Sequence, residues 1–358
     1  MVGSHMNPGL YHVDRANILI VRLSSIGDVV HTLPSLVALR RHFPEARIDW
    51  LVETSCREVL LDNPAMSDLL EVDTLRWRRR LHSPRTWADV VRTIRQLRAR
   101  RYDVVLDLQG TIKSAVAAFL VKGDRRIGFA LSDLKERMAA LLYTERVTPN
   151  GSRPHVIDRN LSLLTALGLE TKERAFPIVV TESMERGAAR RLEELGLSEY
   201  VVLNPGGSWP TKRWSPEKFG SLASEIARKW ELQSLVLHGP GEEGIAKRVV
   251  EHSNGASLIA PDLGLREMIP YLQRARLLIS GDTGPMHIAS AFQVPVVGIF
   301  GPTNPARNGP FGQADETIAK AVPCGPCYKH RCPGYDNVCM VSIEVAEVLD
   351  AVRRRLGE

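Results

Sequence analysis

The segment Gly281-Asp-Thr-Gly-Pro-Met-His287 combines residue types that suit a phosphate site. It follows an apolar run at residues 277–280, and a helix is predicted at 285–292, whose start Asp282 or Thr283 can cap. Its glycines let the backbone turn and approach a ligand closely, and the free N–H groups of a helix start bind anions. The segment predicts a phosphate site at the carboxyl edge of a parallel sheet, although an ordinary strand-to-helix turn has the same pattern.

A second glycine turn, Gly206-Gly-Ser-Trp-Pro-Thr-Lys212, follows the strand predicted at 200–203. Backbone N–H groups in such a turn can cradle a phosphate, and Lys212 supplies a positive charge. The spacing differs from that of a Walker A loop. Lys212 is therefore either a phosphate ligand or an ordinary loop lysine.

Acidic residues follow two further predicted strands. Asp28 ends the segment Ser24-Ser-Ile-Gly-Asp28, which comes directly after the first long apolar run. It is either a helix-start residue favoured by the helix dipole or a general base facing a cleft between domains. Glu242 and Glu243 follow the strand predicted at 234–238. An acid just past a strand can accept hydrogen bonds from the hydroxyls of a ribose, but exposed acids are also common in loops.

Four cysteines are grouped near the C-terminus with the spacing C-x2-C-x4-C-x6-C: Cys324, Cys327, Cys332 and Cys339. The first pair resembles zinc ligation, but the second pair lacks the usual spacing. A structural metal site, disulfides and free thiols are the three alternatives. The lack of a secretory signal disfavours disulfides.

The composition is that of an ordinary soluble protein, with 44% hydrophobic and 25% charged residues. A length of 358 residues predicts two domains, and no apolar run approaches the roughly 18 residues of a membrane span. Residues 1–14 include Gly3-Ser-His-Met6, which resembles a cloning scar.

The net charge of +6 is concentrated in the arginine-rich stretch from Arg76 to Arg101. Since no nucleic-acid motif is present, we favour an anionic lipid or its head group as its partner.

Strands and helices alternate in two separate series along the chain, which predicts parallel sheets covered on both faces. The first series includes strands at 16–23, 47–52 and 103–108 and a long helix at 28–42. We expect an α/β protein with two Rossmann-like domains, at 15–180 and 181–340. A last helix ends in arginines, which suits its dipole.

Three motifs together resemble glycosyltransferase family 9, whose known members are ADP-heptose:lipopolysaccharide heptosyltransferases. The resemblance runs from about Asn17 to the C-terminus, and the cysteine group also recurs in many relatives. The motifs are Leu23-Ser-Ser-Ile-Gly-Asp-Val-Val-His-Thr-Leu-Pro34, Lys212-Arg-Trp214, and Gly281-Asp-Thr-Gly-Pro-Met-His287 with Phe300-Gly-Pro-Thr303.

The resemblance implies a GT-B fold, with parallel sheets facing across a cleft and a C-terminal helix (residues 341–358) crossing back to the first domain. It implies inverting, metal-independent transfer, with Asp28 as the base and Lys212 at the donor phosphates. Other donor contacts would come from Gly206, Gly207, Ser208, Thr211, Glu242 or Glu243, Asp282, Thr283, Gly284 and His287. Acceptor contacts would come from Ser24, Ser25, Gly27 and Lys135.

The implied partners are a nucleotide-sugar donor, an anionic glycolipid acceptor and the cytoplasmic surface of the inner membrane, with no nucleic acid. No cofactor is expected for catalysis, and zinc is expected at most as a structural ion at the cysteines. The first motif is typical of enzymes that add the first heptose, whereas the cysteine-rich tail is commoner in second-heptose and unassigned relatives. The alternatives are a nucleotide-sugar epimerase of the same fold and a non-catalytic nucleotide-sugar-binding protein.

Overall fold

The computed structural model describes residues 15–149, 151 and 155–357. The chain divides into two compact units between Val179 and Val180, close to the predicted boundary. The predicted tag, residues 1–14, lies outside the described residues.

The first unit contains a six-stranded parallel sheet in the order β3-β2-β1-β4-β5-β6. β1 and β4 lie at its centre, and the apolar residues of β1 are buried because helices cover both faces of such a sheet. The sequence did not identify β3 or β6. The strands are β1 (Asn17–Val21), β2 (Arg47–Glu53), β3 (Asp68–Val72), β4 (Arg101–Asp107), β5 (Lys122–Phe129) and β6 (Glu145–Val147).

The α-helices of the first unit are α1 (Ile26–Val30), α2 (Leu33–His42), α3 (Thr74–Arg79), α4 (Pro84–Leu97), α5 (Ile112–Leu120) and α6 (Val156–Ser162). The single helix predicted at 28–42 is in fact two helices. Pro34 explains the break, because its ring would clash with the carbonyl of Val30 in a continuous helix. Trp77, Leu97 and Ala118 pack in one core against the sheet. Therefore α3, α4 and α5 cover the same face of the sheet.

The second unit repeats the plan, with a six-stranded parallel sheet in the order β12-β11-β10-β7-β8-β9. Its edge strand β12 was not predicted, since only four residues pair there. The strands are β7 (Tyr200–Asn204), β8 (Gln233–Val236), β9 (Ser257–Ile259), β10 (Leu277–Gly281), β11 (Val296–Phe300) and β12 (Glu316–Ala319). Two Rossmann-like units are thus confirmed.

The helices of the second unit are α7 (Glu182–Glu194), α8 (Pro216–Trp230), α9 (Glu243–Glu251), α10 (Leu265–Arg274), α11 (Gly284–Ala291), α12 (Pro305–Asn308), α13 (Val338–Val341) and α14 (Val345–Leu356). We expected the last helix to pack on the first domain. Val348, Ala351 and Val352 of α14 belong to the core of the second unit, and the crossing of this helix to the first domain stays a prediction. Their spacing places them on one helix face, which packs against α8 and the sheet.

Each sheet has one point at which the strand order changes direction. In the first unit it lies between β1 and β4, and in the second unit between β7 and β10. In open parallel sheets, ligands bind at the carboxyl ends of the strands at this point. The segments that contain Asp28, Lys212 and Asp282 follow β1, β7 and β10, so all three are at such positions.

Candidate functional site

In the second unit, a buried ion pair joins the two loops at the switch point. Lys212 ends a 3-10 turn (Pro210–Lys212) after β7, and Asp282 directly follows β10. The Lys212 Nζ lies 2.7 Å from Asp282 Oδ2 and 4.5 Å from the centroid of the Trp209 ring. The side chains of the lysine and the aspartate are 17% and 6% exposed. The pair therefore holds a lysine charge at the carboxyl edge of the sheet.

Asp282 also lies 3.4 Å from His287 Nε2. Burial alone would raise the pKa of this carboxyl, but the His287 hydrogen bond and the Lys212 charge outweigh it and lower the pKa below its ordinary value. The ionised Asp282 carboxylate therefore stabilises the fold fully above about pH 4, the ordinary pKa of an aspartate. This stabilisation is lost as the pH falls through the lower pKa that Asp282 has in the folded protein. An ionised carboxylate repels a phosphate, so Asp282 would act on a diphosphate by positioning Lys212.

Thr283 occupies the N-cap position of α11, but its hydroxyl does not cap the helix. Instead it accepts a hydrogen bond from Asn204 Nδ2 at 2.8 Å and lies 3.0 Å from Ser280 Oγ. The predicted cap by Thr283 or Asp282 is therefore wrong, because other polar groups bind both side chains. The N–H groups of the first turn, which begins at Gly284, are not covered by Thr283 and can meet an anion.

Glu242 connects the loops that follow β7 and β8. Its carboxylate accepts hydrogen bonds from the backbone N–H groups of Gly207 at 2.8 Å and Gly239 at 3.0 Å, and from Arg213 at 3.3 Å. A Cβ on Gly206 would lie 2.0 Å from Glu242 Oε2, so a larger residue there would displace the Glu242 carboxylate. Glu242 therefore lies at the predicted phosphate turn, and its carboxylate already engages the Gly207 N–H. Glu243 is exposed and pairs with Lys247 on its own helix.

Thr211 and Ser208 differ in environment within the same turn. Thr211 is buried and donates a hydrogen bond to the carbonyl of Lys329 at 2.7 Å, whereas Ser208 is exposed. The Trp209 ring lies 3.8 Å from that of His330, measured between centroids. Thr211 therefore anchors the turn to the cysteine-rich segment, and Ser208 is free of that constraint.

All five cysteines are free thiols. Burial, followed by the charges of Cys324, Cys327 and Cys332, raises the pKa of Cys339. Within the described ranges, no three side chains of His, Cys, Asp or Glu are arranged to hold a metal ion. A structural ion at these cysteines stays a prediction.

In the first unit, Asp28 lies in the first turn of α1, and its side chain is 31% exposed. One carboxylate oxygen accepts hydrogen bonds from the backbone N and the hydroxyl of Ser25, both at 3.0 Å. The other lies 2.5 Å from Arg22 Nη2. Desolvation alone would raise the pKa of Asp28. The charge of Arg22 and the hydrogen bonds from Ser25 have the larger combined effect, so the pKa lies below its ordinary value. Asp28 is thus an ionised, partly exposed carboxylate at neutral pH.

Arg22 is a site residue that the sequence reasoning missed. Its side chain is 4% exposed and also donates to the backbone carbonyl of Leu108, just after β4. Gln109 reinforces this junction by accepting a hydrogen bond from the Leu23 N–H at 2.8 Å. An arginine that ends an apolar strand requires a partner, since a buried charge is costly, and this was the available signal. Arg22 thus fixes Asp28 at the switch point.

A second missed group is the pair of Lys113 and Glu53, whose charged atoms are 2.9 Å apart. Glu53 ends β2 and is buried, whereas Lys113 lies in the first turn of α5 and its side chain is 40% exposed. Burial raises the pKa of Cys56 to about 11, and the charges of Glu53, Asp28 and Lys113 also affect it. The backbone N–H of Glu53 also donates a hydrogen bond to the carbonyl of Leu23 at 2.9 Å, so the pair lies at the same edge of the sheet as the segment that contains Asp28.

The remaining predicted acceptor residues have different environments. Ser24 is half-buried, Ser25 is exposed and Gly27 is buried beside Asp28. Lys135 is exposed on the loop between two 3-10 turns, Leu131–Asp133 and Arg137–Leu142. Ser25 is the one whose side chain contacts Asp28.

Gly281 allows the close approach that places Lys212 beside Asp282. A Cβ at this position would lie 2.7 Å from the backbone oxygen of Lys212. We expect Gly281→Ala to lower the free energy of unfolding by about 1–3 kcal/mol and to weaken ADP binding, because the Lys212 turn must shift. The control is Gly244→Ala on α9, where a Cβ would meet no atom within 4 Å. Thermal unfolding and calorimetry with ADP measure both effects, and equal behaviour of the two variants would contradict the prediction.

The chain is similar in sequence and fold to proteins of one known family. The model of glycosyltransferase family 9 (heptosyltransferase) matches residues 90–336. The lipopolysaccharide heptosyltransferase 1 of Pseudomonas aeruginosa is 31% identical over 320 residues, which cover 88% of this chain and 87% of that protein.

Two solved structures are also similar over nearly the whole chain. The E. coli heptosyltransferase WaaC with ADP has a TM-score of 0.76 and 25% identity, covering 95% of this chain and 99% of that chain. The same enzyme with ADP-2-deoxy-2-fluoro heptose has a TM-score of 0.71 and 26% identity, covering 94% and 98%. The predicted GT-B fold is confirmed by these similarities. Because the family model and the Pseudomonas relative each match well over half of its length, the chain belongs to glycosyltransferase family 9 and is a glycosyltransferase.

Proposed function

We propose that this enzyme transfers a heptose from ADP-heptose to the inner core of lipopolysaccharide, with inversion at the sugar carbon and without a catalytic metal. The acceptor is Kdo-lipid A or heptosyl-Kdo. The proposal rests mainly on two ion pairs, one at the switch point of each sheet. Arg22 pairs with Asp28 in the first unit, and Lys212 pairs with Asp282 in the second. The similarity to an enzyme described with ADP and with an ADP-heptose analogue supports the choice of donor.

The chemistry requires one base and one site for negative charge. An acceptor hydroxyl attacks the anomeric carbon as the bond to the diphosphate oxygen breaks, and the hydroxyl proton passes to Asp28. Inversion needs a base on the face opposite the leaving group, as in inverting glycosidases. The departing ADP takes the bonding electrons, and Lys212 and the N–H groups at the start of α11 stabilise its charge. Asp28 is ionised and partly exposed, which suits a proton acceptor.

The proposed partners are the nucleotide-sugar donor, the anionic glycolipid and the cytoplasmic surface of the inner membrane, where the enzyme would be peripheral. Within the described residues, no helix is long and apolar enough to cross a bilayer. A glycolipid acceptor nonetheless presents its sugars at a membrane surface, so the enzyme must work there.

The test is ADP release from ADP-heptose with and without a Kdo-bearing lipid A acceptor. The transferase proposal requires acceptor-dependent ADP release and a product heavier by one heptose in mass spectrometry. Turnover of the donor without any acceptor would instead indicate an epimerase or a hydrolase. Donor binding without turnover in either mixture would indicate a binding protein. Kdo-lipid A and heptosyl-Kdo acceptors, compared in parallel, distinguish first-heptose from second-heptose transfer.

We predict that transfer survives a chelator. Mg²⁺ prefers carboxylate and phosphate oxygens, and the sequence has no Asp-x-Asp pair of the kind that holds Mg²⁺ against a diphosphate. Initial rates should therefore be equal with and without EDTA. A prompt loss of rate that Mg²⁺ restores would contradict metal independence. A slow loss, with zinc release and a falling Tm, would instead indicate a structural ion at the cysteines, which are ligands of the soft type.

A further inference from the structure

The positive charge of the protein is concentrated on one segment of the first unit. Residues 74–101 contain ten arginines and one aspartate, a net charge of +9, whereas the whole chain carries +6. The rest of the chain is therefore slightly acidic, with a net charge of −3. The arginines at 76, 78, 79, 80, 85, 92, 95, 98 and 100 are all exposed. Such a field attracts an anionic surface to this part of the molecule.

The same segment exposes large apolar side chains. The exposed fractions of Leu75, Leu81, Trp87 and Val91 are 49%, 51%, 56% and 45%. Trp87 and Val91 are four residues apart on α4 and therefore lie on one helix face. Leu81 is held beside them, since its carbonyl accepts a hydrogen bond from Trp87 Nε1 at 3.0 Å. An outward apolar face flanked by arginines is typical of helices that lie in a membrane interface.

The apolar surface continues beyond this segment. Since α3, α4 and α5 cover the same face of the sheet, their outward sides form one outer layer. α5 exposes Ile112, Val116 and Phe119, and the 3-10 turn Arg137–Leu142, which packs against α5, exposes Met138 and Leu141. Of the thirteen exposed large apolar side chains in the described residues, ten belong to the first unit and three to the second. We call the outward sides of α3, α4, α5 and this turn the basic-apolar layer.

We propose that the basic-apolar layer docks the first unit on the surface of an anionic phospholipid bilayer. Arginines supply attraction to the lipid phosphates, and Trp87, Leu81 and Val91 enter the boundary between head groups and acyl chains. A nucleic acid is disfavoured, because the exposed apolar side chains are mostly aliphatic and offer no stacking platform. The inference rests on the proposed membrane-bound acceptor, but it makes a claim about binding that does not require catalysis.

Vesicle flotation tests the proposal without donor or acceptor. We expect the purified enzyme to float with vesicles of phosphatidylethanolamine and phosphatidylglycerol, and not with vesicles of phosphatidylcholine. Binding should weaken as salt rises, because exposed charges are screened. No binding to the anionic vesicles at low salt, or tighter binding to duplex RNA or DNA than to vesicles, would overturn the proposal.

Matched variants separate this layer from the rest of the surface. Trp87→Ser should reduce the vesicle partition coefficient by about tenfold or more, whereas Tyr335→Ser, at an equally exposed aromatic in the second unit, should leave it unchanged. Arg78→Gln with Arg79→Gln should reduce it by about 25-fold, at about fivefold for each charge. Arg190→Gln with Arg228→Gln, on α7 and α8, is the charge-matched control. Equal losses in a variant pair and its control would overturn the docking surface. Leu81→Ser repeats the apolar test if Trp87→Ser fails to fold.

An activity measurement distinguishes failure of docking from failure of the proposed function. Trp87→Ser should transfer sugar to a deacylated, water-soluble acceptor at the rate of the unmodified enzyme, and to the acceptor in vesicles at least about tenfold more slowly when the enzyme is dilute. Equal slowing on both acceptors would overturn a docking role. If the unmodified enzyme binds vesicles but transfers no heptose, the docking proposal stands and the proposed reaction fails.

Discussion

Asp28→Asn should lower kcat by about 10²- to 10⁴-fold and leave the affinity for ADP nearly unchanged. The substitution keeps the shape of the side chain but removes the group that would accept the proton of the acceptor hydroxyl. The partly exposed carboxylate at the switch point of the first sheet motivates the prediction. Steady-state kinetics with the Kdo-bearing acceptor and calorimetry with ADP measure the two effects.

The control for Asp28→Asn is Asp124→Asn, an exposed carboxylate on β5 that pairs with Arg101. Asp28 also partners the buried Arg22, so the variant should lose some stability, and kcat must be measured below its own Tm. Turnover within a few-fold of that of the unmodified enzyme would remove Asp28 from the mechanism. Loss of ADP binding in step with turnover would indicate a folding defect instead.

The pH profile gives a second measure of the same role. Arg22 and Ser25 hold the pKa of Asp28 below its ordinary value, so the base stays ionised as the medium becomes mildly acidic. Arg22→Gln removes the positive charge that stabilises the ionised Asp28 carboxylate, so the pKa of Asp28 should rise. The acid limb of kcat should therefore move to higher pH, whereas a purely structural defect would lower kcat at all pH values alike.

Local patterns in the sequence were sufficient to predict the central strands. β1, β7, β10 and β11 are nearly continuous apolar runs, and such runs are typical of strands buried on both faces. The edge strands β3, β6 and β12 were missed. They are short or carry charged residues, and pairing with a neighbouring strand stabilises them more than their own residues do.

The site was predictable only in part, because its chemistry depends on contacts distant in sequence. Asp28 and Lys212 were identified as candidates because each lies in a glycine-containing segment that follows a strand. The ion pair of Lys212 with Asp282 joins residues 70 positions apart, and that of Glu53 with Lys113 joins residues 60 apart. Neither partner carries a local sign of the other. For the same reason, the Thr283 hydroxyl was expected at the helix cap, whereas Asn204, from a different strand, binds it.

Lys212→Met should weaken ADP binding and lower kcat, with a combined loss of about 10²- to 10³-fold in kcat/KM for the donor. The lysine charge meets the diphosphate in the bound donor and more strongly as the bond to the sugar breaks. The variant also leaves Asp282 without its cation in a buried position, so it should be less stable than the unmodified enzyme. Calorimetry with ADP, donor kinetics and thermal unfolding provide the three measurements.

A double variant separates binding of the donor from stability of the fold. Lys212→Met with Asp282→Asn removes both charges, so stability should recover relative to Lys212→Met alone while ADP affinity stays low. If affinity recovered together with stability, Lys212 would serve only to neutralise Asp282. Lys229→Met, at an exposed lysine at the end of α8, controls for the loss of one positive charge in the same unit and should change neither property. Unchanged ADP affinity and turnover in Lys212→Met would contradict a role of this lysine at the donor phosphates.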